Sequence, residues 1–358
     1  DLLRLTRDVK VNNELYTGLL NSFQQLRLVK EGKVGNVRIV DVAAVPEKPV
    51  KPQRAQVVAI AAVLGLLTGL GLAFLRNSLR PGIKNADDIE QHLGLHVFAT
   101  VPHSKEQAAL VANIAAKTPG KHLLANLHPE DPSIESLRSL RTALQFAMLD
   151  APNNLVLISG ATPGIGKSFT SANFAAVLGT GGKRVLLVDG DMRKGHINKF
   201  FGLDRGMGLS ELIAGSQPLA KVLHKDVSPQ VDLITTGTLP PNPAELLMSP
   251  ATVQLLQTLA SQYDIVLIDT PPVLAVSDTQ VLAPQAGTLF LVARADVSTL
   301  GELQESAKRL KQSGTAVRGV IFNDVNTTKR RYGYGTGYGY KYSRYRYTQY
   351  QYGQEAQK

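Results

Sequence analysis

The chain contains no cysteine in 358 residues. Disulfides and thiolate metal sites are therefore excluded, which fits a cytoplasmic protein without excluding any other compartment. Charge is missing from Ala55 to Leu75, a run of 21 residues. Leucine, isoleucine and valine are missing from residues 329–358, which consist mainly of Tyr, Gly, Arg, Lys and Gln. Such a composition cannot bury a core, so disorder is expected there. The chain opens at Asp1, inside a periodic pattern, with neither an initiator methionine nor a signal peptide. The expectation is a segment of a longer protein. What remains is 44% hydrophobic and 19% charged, enough for two domains with a sizeable core. The net charge of +10 would suit nucleic acid, a membrane surface or phosphorylated partners. More than half of it sits in the last 30 residues, where seven Lys and Arg face only Glu355 for a net of +6.

At the start, Leu2, Leu5, Val9, Asn12, Tyr16, Leu19, Phe23 and Leu26 alternate spacings of three and four. This predicts either a coiled-coil seam or one amphipathic helix on a globular core. Val37 to Val45 alternates like a strand, and Pro46, Pro49 and Pro52 follow at the spacing of a stiff polyproline II spacer. The uncharged run, at ~1.5 Å per residue, reaches about 31 Å, the thickness of a bilayer core. It is read as a transmembrane helix. Ala61, Gly65, Gly69 and Ala73 form a small-residue stripe along it, a hint of close helix approach. Lys48, Lys51 and Arg54 precede the run, and Arg76, Arg80 and Lys84 follow it, so flanking charge does not orient it.

From Ile83 short apolar strands alternate with helices. Strands are expected at Val97–Val101, Leu155–Ile158, Val185–Val188, Val231–Ile234, Ile265–Ile268, Thr288–Val292 and Val317–Ile321. Helices are expected between them, as at Ser168–Leu178, Thr252–Gln262 and Leu300–Gln312. The fold class is α/β, with a doubly wound parallel sheet.

Three motifs fall at the C-terminal ends of those strands, where ligands bind in open α/β sheets. The first is Ala161, Thr162, Pro163, Gly164, Ile165, Gly166, Lys167 and Ser168. It is a Walker A phosphate loop with alanine at its first glycine position. Its backbone N–H groups cradle phosphates, Lys167 reaches the β and γ oxygens of ATP, and Ser168 ligates Mg2+. Phe169 completes the nucleotide-binding stretch. The second is Asp189-Gly-Asp191-Met-Arg193, a strand ending in two carboxylates that can reach Mg2+, its waters or an attacking hydroxyl. The third is Asp269-Thr-Pro-Pro272, a Walker B acid. The acting groups are then Lys167, Asp189, Asp191, Arg193 and Asp269, with Ser168, Asp191 and Asp269 serving the metal. Lys167 and Arg193 are expected to offset charge on the transferring phosphoryl. Asp189 is chosen over Asp191 as proton acceptor, a close choice. Asn323 either contacts the base of ATP or caps a turn. Because ATP is cytoplasmic, the nucleotide site places everything after the helix in the cytoplasm.

These motifs resemble the bacterial tyrosine kinase family, the kinase-bearing polysaccharide co-polymerases of capsule and exopolysaccharide export. The family pairs a Walker A with Asp-x-Asp-x-Arg and a Walker B followed by Pro-Pro. The stretch from Asn12 through Gly35-Asn-Val-Arg-Ile-Val-Asp41 resembles the end of its periplasmic domain. The resemblance implies an autophosphorylating protein-tyrosine kinase in a bacterial inner membrane. It makes the Glu135, Arg138 and Arg141 helix the contact of a homo-oligomeric ring. It makes Tyr332, Tyr334, Tyr338, Tyr340, Tyr342, Tyr345, Tyr347, Tyr350 and Tyr352 acceptors for phosphorylation between protomers. It implies a phosphotyrosine phosphatase and polysaccharide polymerase and export proteins as partners, with no nucleic acid, although Tyr interleaved with basic residues can also stack on single strands. Where some members carry a Tyr after Arg-Lys-Gly, this chain has His196. The organisation expected is a periplasmic end at 1–54, the membrane helix at 55–75, a juxtamembrane segment at 76–128, the kinase domain at 129–328 and the tail at 329–358. Two rivals stay open: a scaffold whose nucleotide domain only switches assembly, and a positioning ATPase. The second is disfavoured because Ala161 to Ile165 lack the additional lysine such ATPases carry.

Overall fold

The computed structural model describes residues 2–32, 53–78 and 82–326. The strand expected at 37–45, the Pro46, Pro49 and Pro52 spacer and the nine tail tyrosines lie outside them. The chain divides into two units, Asp1–Phe74 and Leu75–Lys358.

In the first unit, Leu2–Gly32 is one helix. Its apolar seam is exposed along its length, with Leu5 at 65% and Phe23 at 67%. A helix at Arg54–Ser78 follows, rich in Ala, Val and Leu. Its span Gln56–Leu75 is long and apolar enough to cross a membrane, by length and composition.

The second unit is built on an eight-stranded sheet. The strands are β1 (Val97–Pro102), β2 (Leu155–Gly160), β3 (Val185–Asp189), β4 (Leu223–Ser228), β5 (Val231–Ile234), β6 (Ile265–Asp269), β7 (Thr288–Arg294) and β8 (Gly319–Val325). Their order is β1-β8-β7-β2-β6-β3-β5-β4. All pairs are parallel except β4 with β5. The central strands β2, β3 and β6 are buried at every position, as a sheet covered on both faces requires. One face carries the helices Pro132–Ala147 and Lys167–Thr180, with Leu137, Leu144, Phe174 and Phe290 in its core. The other carries Ala86–Leu93, Pro250–Gln262 and Leu300–Gln312, with Ile89, Leu259, Leu303 and Phe322. Burial on both faces of one sheet is the doubly wound arrangement.

Two elements depart from expectation. The last strand is Gly319–Val325, later than Val317–Ile321. A side chain at Gly319 would meet the ring of Phe98 on β1 at 2.2 Å, so a glycine is needed where β8 passes that ring. Asn323 therefore lies within a strand. The antiparallel edge strand β4 was not anticipated: four of the six residues in its sequence, Leu-His-Lys-Asp-Val-Ser, are polar, and Asp226 within it has a φ of 51°.

Candidate functional site

The loop after β2 turns tightly, and its glycines allow this. Gly164 and Gly166 have φ of 77° and 95°, the left-handed region that side chains avoid. At Gly166 a Cβ would lie 2.0 Å from the Asn323 amide nitrogen, so a side chain there would push Asn323 off the loop. Asn323 Nδ2 donates to the Ile165 carbonyl at 3.0 Å. Arg294 at the end of β7 donates from Nη1 to the Gly164 carbonyl at 3.1 Å. Asp324 braces that arginine, Nε to Oδ2 at 2.8 Å, and His103 Nδ1 lies 2.6 Å from its other oxygen. Two successive carbonyls of the loop are thus held from β7 and β8, and Asn323 acts here on the loop itself. Holding the carbonyls from outside leaves the loop amides free to face an anion.

Lys167 opens the following helix at 8% exposure. Burial pushes its ammonium below the ordinary lysine value, against the opposing pull of Asp269 and Asp191. It has no salt-bridge partner among the described residues. A buried ammonium between two carboxylates, with no direct partner, is suited to a phosphate oxygen. Next to it, the Ser168 hydroxyl donates to Asp269 Oδ2 at 2.6 Å, and Ser171, one turn on, donates to Oδ1 at 2.8 Å. Burial raises the Asp269 carboxyl, while the two hydroxyls and Lys167 favour its ionised form. Because Ser168 gives its proton to Asp269, its lone pairs face outward. Hard oxygen donors of this kind fit Mg2+ better than a softer metal.

Asp189, on β3, stands directly opposite Asp269 in the sheet register. It is 1% exposed. Burial, with Asp269 beside it, pushes its carboxyl up to about 7, while bonds from Ile197 and Thr236 pull the other way. Its oxygens accept from the N–H groups of Asp191 at 3.3 Å and Ile197 at 3.1 Å. Asp191 is half-buried, and its Oδ1 accepts from the N–H groups of Arg193 at 3.1 Å and Lys194 at 2.9 Å.

Arg193 does not point at the phosphate loop. Its guanidinium forms a fork with Asp278, Nε to Oδ2 and Nη2 to Oδ1 both at 2.9 Å. The expectation that Arg193 offsets phosphoryl charge meets this competing partner, which lies 85 residues away in sequence. Glu135 and Arg138 pair with each other at 2.6 Å on an exposed helix face. Arg141 turns inward, donating to the Val177 carbonyl at 3.4 Å. Asp278, Arg294 and Asp324 were not singled out from sequence, for nothing local marks them. Ser171 could have been found, since it sits three residues after Ser168 on one helical face.

Residues 1–78 match the family described as "G-rich domain on putative tyrosine kinase", and residues 153–313 that described as "AAA domain". The "Putative tyrosine-protein kinase EpsB" of Ralstonia solanacearum is 56% identical over 333 residues, which is 93% of this chain and 44% of that protein. The chain thus spans about half the length of the curated relatives it matches. Among solved structures, the BceF tyrosine kinase domain superposes with a TM-score of 0.64 at 45% identity, covering 68% of this chain and 99% of that one. The kinase domain of the Escherichia coli tyrosine kinase ETK does so with a TM-score of 0.65 at 40% identity, covering 72% of this chain and 100% of that one.

Proposed function

This chain belongs to the bacterial tyrosine-protein kinase family, and from that premise we propose that it uses ATP with Mg2+ to phosphorylate tyrosines of its own C-terminal segment. The observation that carries this reading is the meeting of Lys167, the Ser168–Asp269 pair, Asp189 and Asp191 on one sheet edge. The amides of the Gly164–Gly166 turn and Lys167 hold the β and γ phosphates. Ser168 and Asp269, already joined by a hydrogen bond, would hold Mg2+. Bound there, the ion supplies charge neutralisation between the phosphates. Asp191, fixed by the N–H groups of Arg193 and Lys194, would help to hold the ion. A tyrosine oxygen attacks the γ-phosphorus, the bond to the β–γ bridging oxygen breaks, and ADP leaves. The phenolic proton passes to Asp189, whose raised pKa suits a base working near neutrality. Arg193, gripped by Asp278, braces the loop that carries Asp191.

The apolar helix anchors the protein in the bacterial inner membrane, with residues 1–54 in the periplasm and the chain after the helix in the cytoplasm, where ATP is. The sequence resemblance supports a role in capsule or exopolysaccharide assembly, export and chain length, with polymerase and export proteins as partners and a phosphatase opposing the kinase. It also supports self-assembly through Glu135, Arg138 and Arg141, of which the first two lie on an exposed face.

The test is to incubate the full chain in detergent with ATP and Mg2+ and to map phosphotyrosine by mass spectrometry. Phosphate is expected on the tyrosines between Tyr332 and Tyr352. In Lys167→Met it should vanish with no loss of thermal stability, since the ammonium contributes to phosphate binding and costs desolvation in the fold. Undiminished phosphotyrosine in that variant overturns the reading.

A further inference from the structure

The last strand leaves regular geometry at one place beside the phosphate loop. Thr100 of β1 pairs with Phe322 of β8, and Pro102 pairs with Val325. Between those pairs β1 advances two residues and β8 three. Asn323 and Asp324 therefore share the space opposite Val101. This is a bulge, which is rare between parallel strands. Among the described residues, five other than glycine have a left-handed φ, and Asp324, at 62°, is the one that lies in a parallel strand. Few side chains adopt that conformation, although aspartate is among those that tolerate it. In a regular strand, neighbouring side chains point to opposite faces. Here both act on the phosphate loop. Asn323 holds the Ile165 carbonyl directly. Asp324 acts through Arg294: its Oδ2 accepts from Nε at 2.8 Å and lies 2.7 Å from Nη2, which leaves Nη1 for the Gly164 carbonyl at 3.1 Å. His103 Nδ1 lies against the other oxygen of Asp324, and the His103 N–H donates to the Val325 carbonyl at 3.0 Å. The side chains of Asp324, Arg294 and His103 are 23%, 41% and 46% exposed, so core packing does not account for them.

We propose that Asp324 and Arg294 are positioning residues for the nucleotide: the bulge aims the carboxylate at Arg294, and the guanidinium so fixed sets the loop to receive phosphate. The inference rests on the kinase reading, which gives the loop to ATP, and adds what keeps the loop in its binding shape. A planar guanidinium gripped at two nitrogens has its third placed as well. The Gly164 carbonyl is then held from outside, and the amides of the turn stay free for the anion. A site prepared in this way loses less freedom when it is filled. Without the grip of Asp324, the arginine and the turn would have to be ordered at each binding event. The left-handed backbone of Asp324 fits this account. Strain of that kind persists only where the surrounding structure enforces it, and it clusters at ligand sites. A glycine would take the same φ without strain, but it would bring no carboxylate.

The experiment measures the dissociation constant of ADP with Mg2+ by titration calorimetry, on the full chain in detergent, and thermal unfolding without nucleotide. Asp324→Ala keeps the left-handed strain, and Asp324→Gly relieves it; both remove the carboxylate. Asp324→Gly should therefore unfold at the higher temperature of the two. Both should nevertheless weaken ADP binding by the same factor, about tenfold, as expected for one charge-assisted hydrogen bond. Arg294→Lys keeps the charge but not the fork, and should weaken ADP as much. The double variant, Asp324→Gly with Arg294→Lys, should lose no more than either change alone, because the carboxylate acts through the arginine. ADP affinity that recovers in Asp324→Gly together with stability would show that only the backbone matters there, and would overturn the proposal. Native affinity in Arg294→Lys, or losses that add in the double variant, would overturn it as well. Each of those results leaves the kinase reading standing. If the native chain binds no ADP, the kinase reading falls and the positioning role with it.

Discussion

Asp278 is completely buried, and Arg193 is its ion-pair partner among the described residues. A carboxylate buried in that position needs the guanidinium as its counter-charge. The same arginine binds the Asp191 carboxylate through its backbone N–H, so the fork also fixes an acid of the site. Arg193→Ala should therefore cost more than its loss of contact, because it strands a buried charge: about 3 kcal/mol in urea unfolding. Asp278→Asn should cost less, and the double variant less than the sum of the two. Additive losses would show that the fork contributes little. This pair also marks where sequence reasoning stopped. Lys167, Ser168, Asp189, Asp191 and Asp269 could be picked out because each sits at a fixed offset from an apolar strand or within a glycine-rich loop. Asp278 and the Asp324–Arg294 brace have no such local mark. Their partners come from other strands, and only the assembled sheet brings them together.

At the scale of elements, the parallel strands were legible because burial on both faces demands unbroken Val, Ile and Leu. The edge strand β4 was not, since one side of it meets water and its residues alternate without a clear apolar face. β8 passes the Phe98 ring of the neighbouring strand at Gly319, a constraint that its own sequence does not announce. The short helix Leu209–Ile213 shows how a single side chain can join two elements. Glu211 accepts from Gly208 at its own N-terminus and from Thr238 in the loop after β5. Burial acts to raise its carboxyl, but the bonds from Thr238 and Gly208 win and hold it at about 2, below the ordinary 4.5. A depressed folded-state pKa stabilises above the ordinary value, and that stabilisation is lost as pH falls from 4.5 toward 2. Glu211→Gln should then be less stable than the native chain at pH 7 by about 1 kcal/mol, allowing for solvent screening. The difference should close as the pH falls through that window. A gap that stays constant from pH 7 to pH 2 would mean that the carboxylate charge has no part in holding the loop.

Over the whole molecule, charge is the property most unevenly distributed, and this asymmetry bears on assembly. The last 30 residues carry +6 of the net +10, and nine tyrosines lie among those cations. Each phosphotyrosine adds roughly −1.5 to −2 at neutral pH. About three or four phosphates therefore cancel the segment's charge, and further ones reverse it. A basic segment is drawn to the carboxylates of a neighbour's site, Asp189, Asp191 and Asp269, whereas a neutral or acidic one is not. If docking of that segment adds to the contacts between copies, assembly should be tight when the tyrosines are bare and loose when many are modified. The response should follow the number of phosphates more than their position, because all nine acceptors fall between Tyr332 and Tyr352. The measurement is sedimentation of the full chain in detergent, with Tyr→Phe sets leaving two, four or nine acceptors, each fully phosphorylated. The two-acceptor form should stay assembled, the nine-acceptor form should dissociate, and the four-acceptor form should fall between them. High salt should blunt the difference, since exposed charges more than about 8 Å apart are screened at physiological ionic strength and nearer ones at higher salt. Equal dissociation of the two-acceptor and nine-acceptor forms, or control by one tyrosine alone, would show that charge is not being summed along the segment.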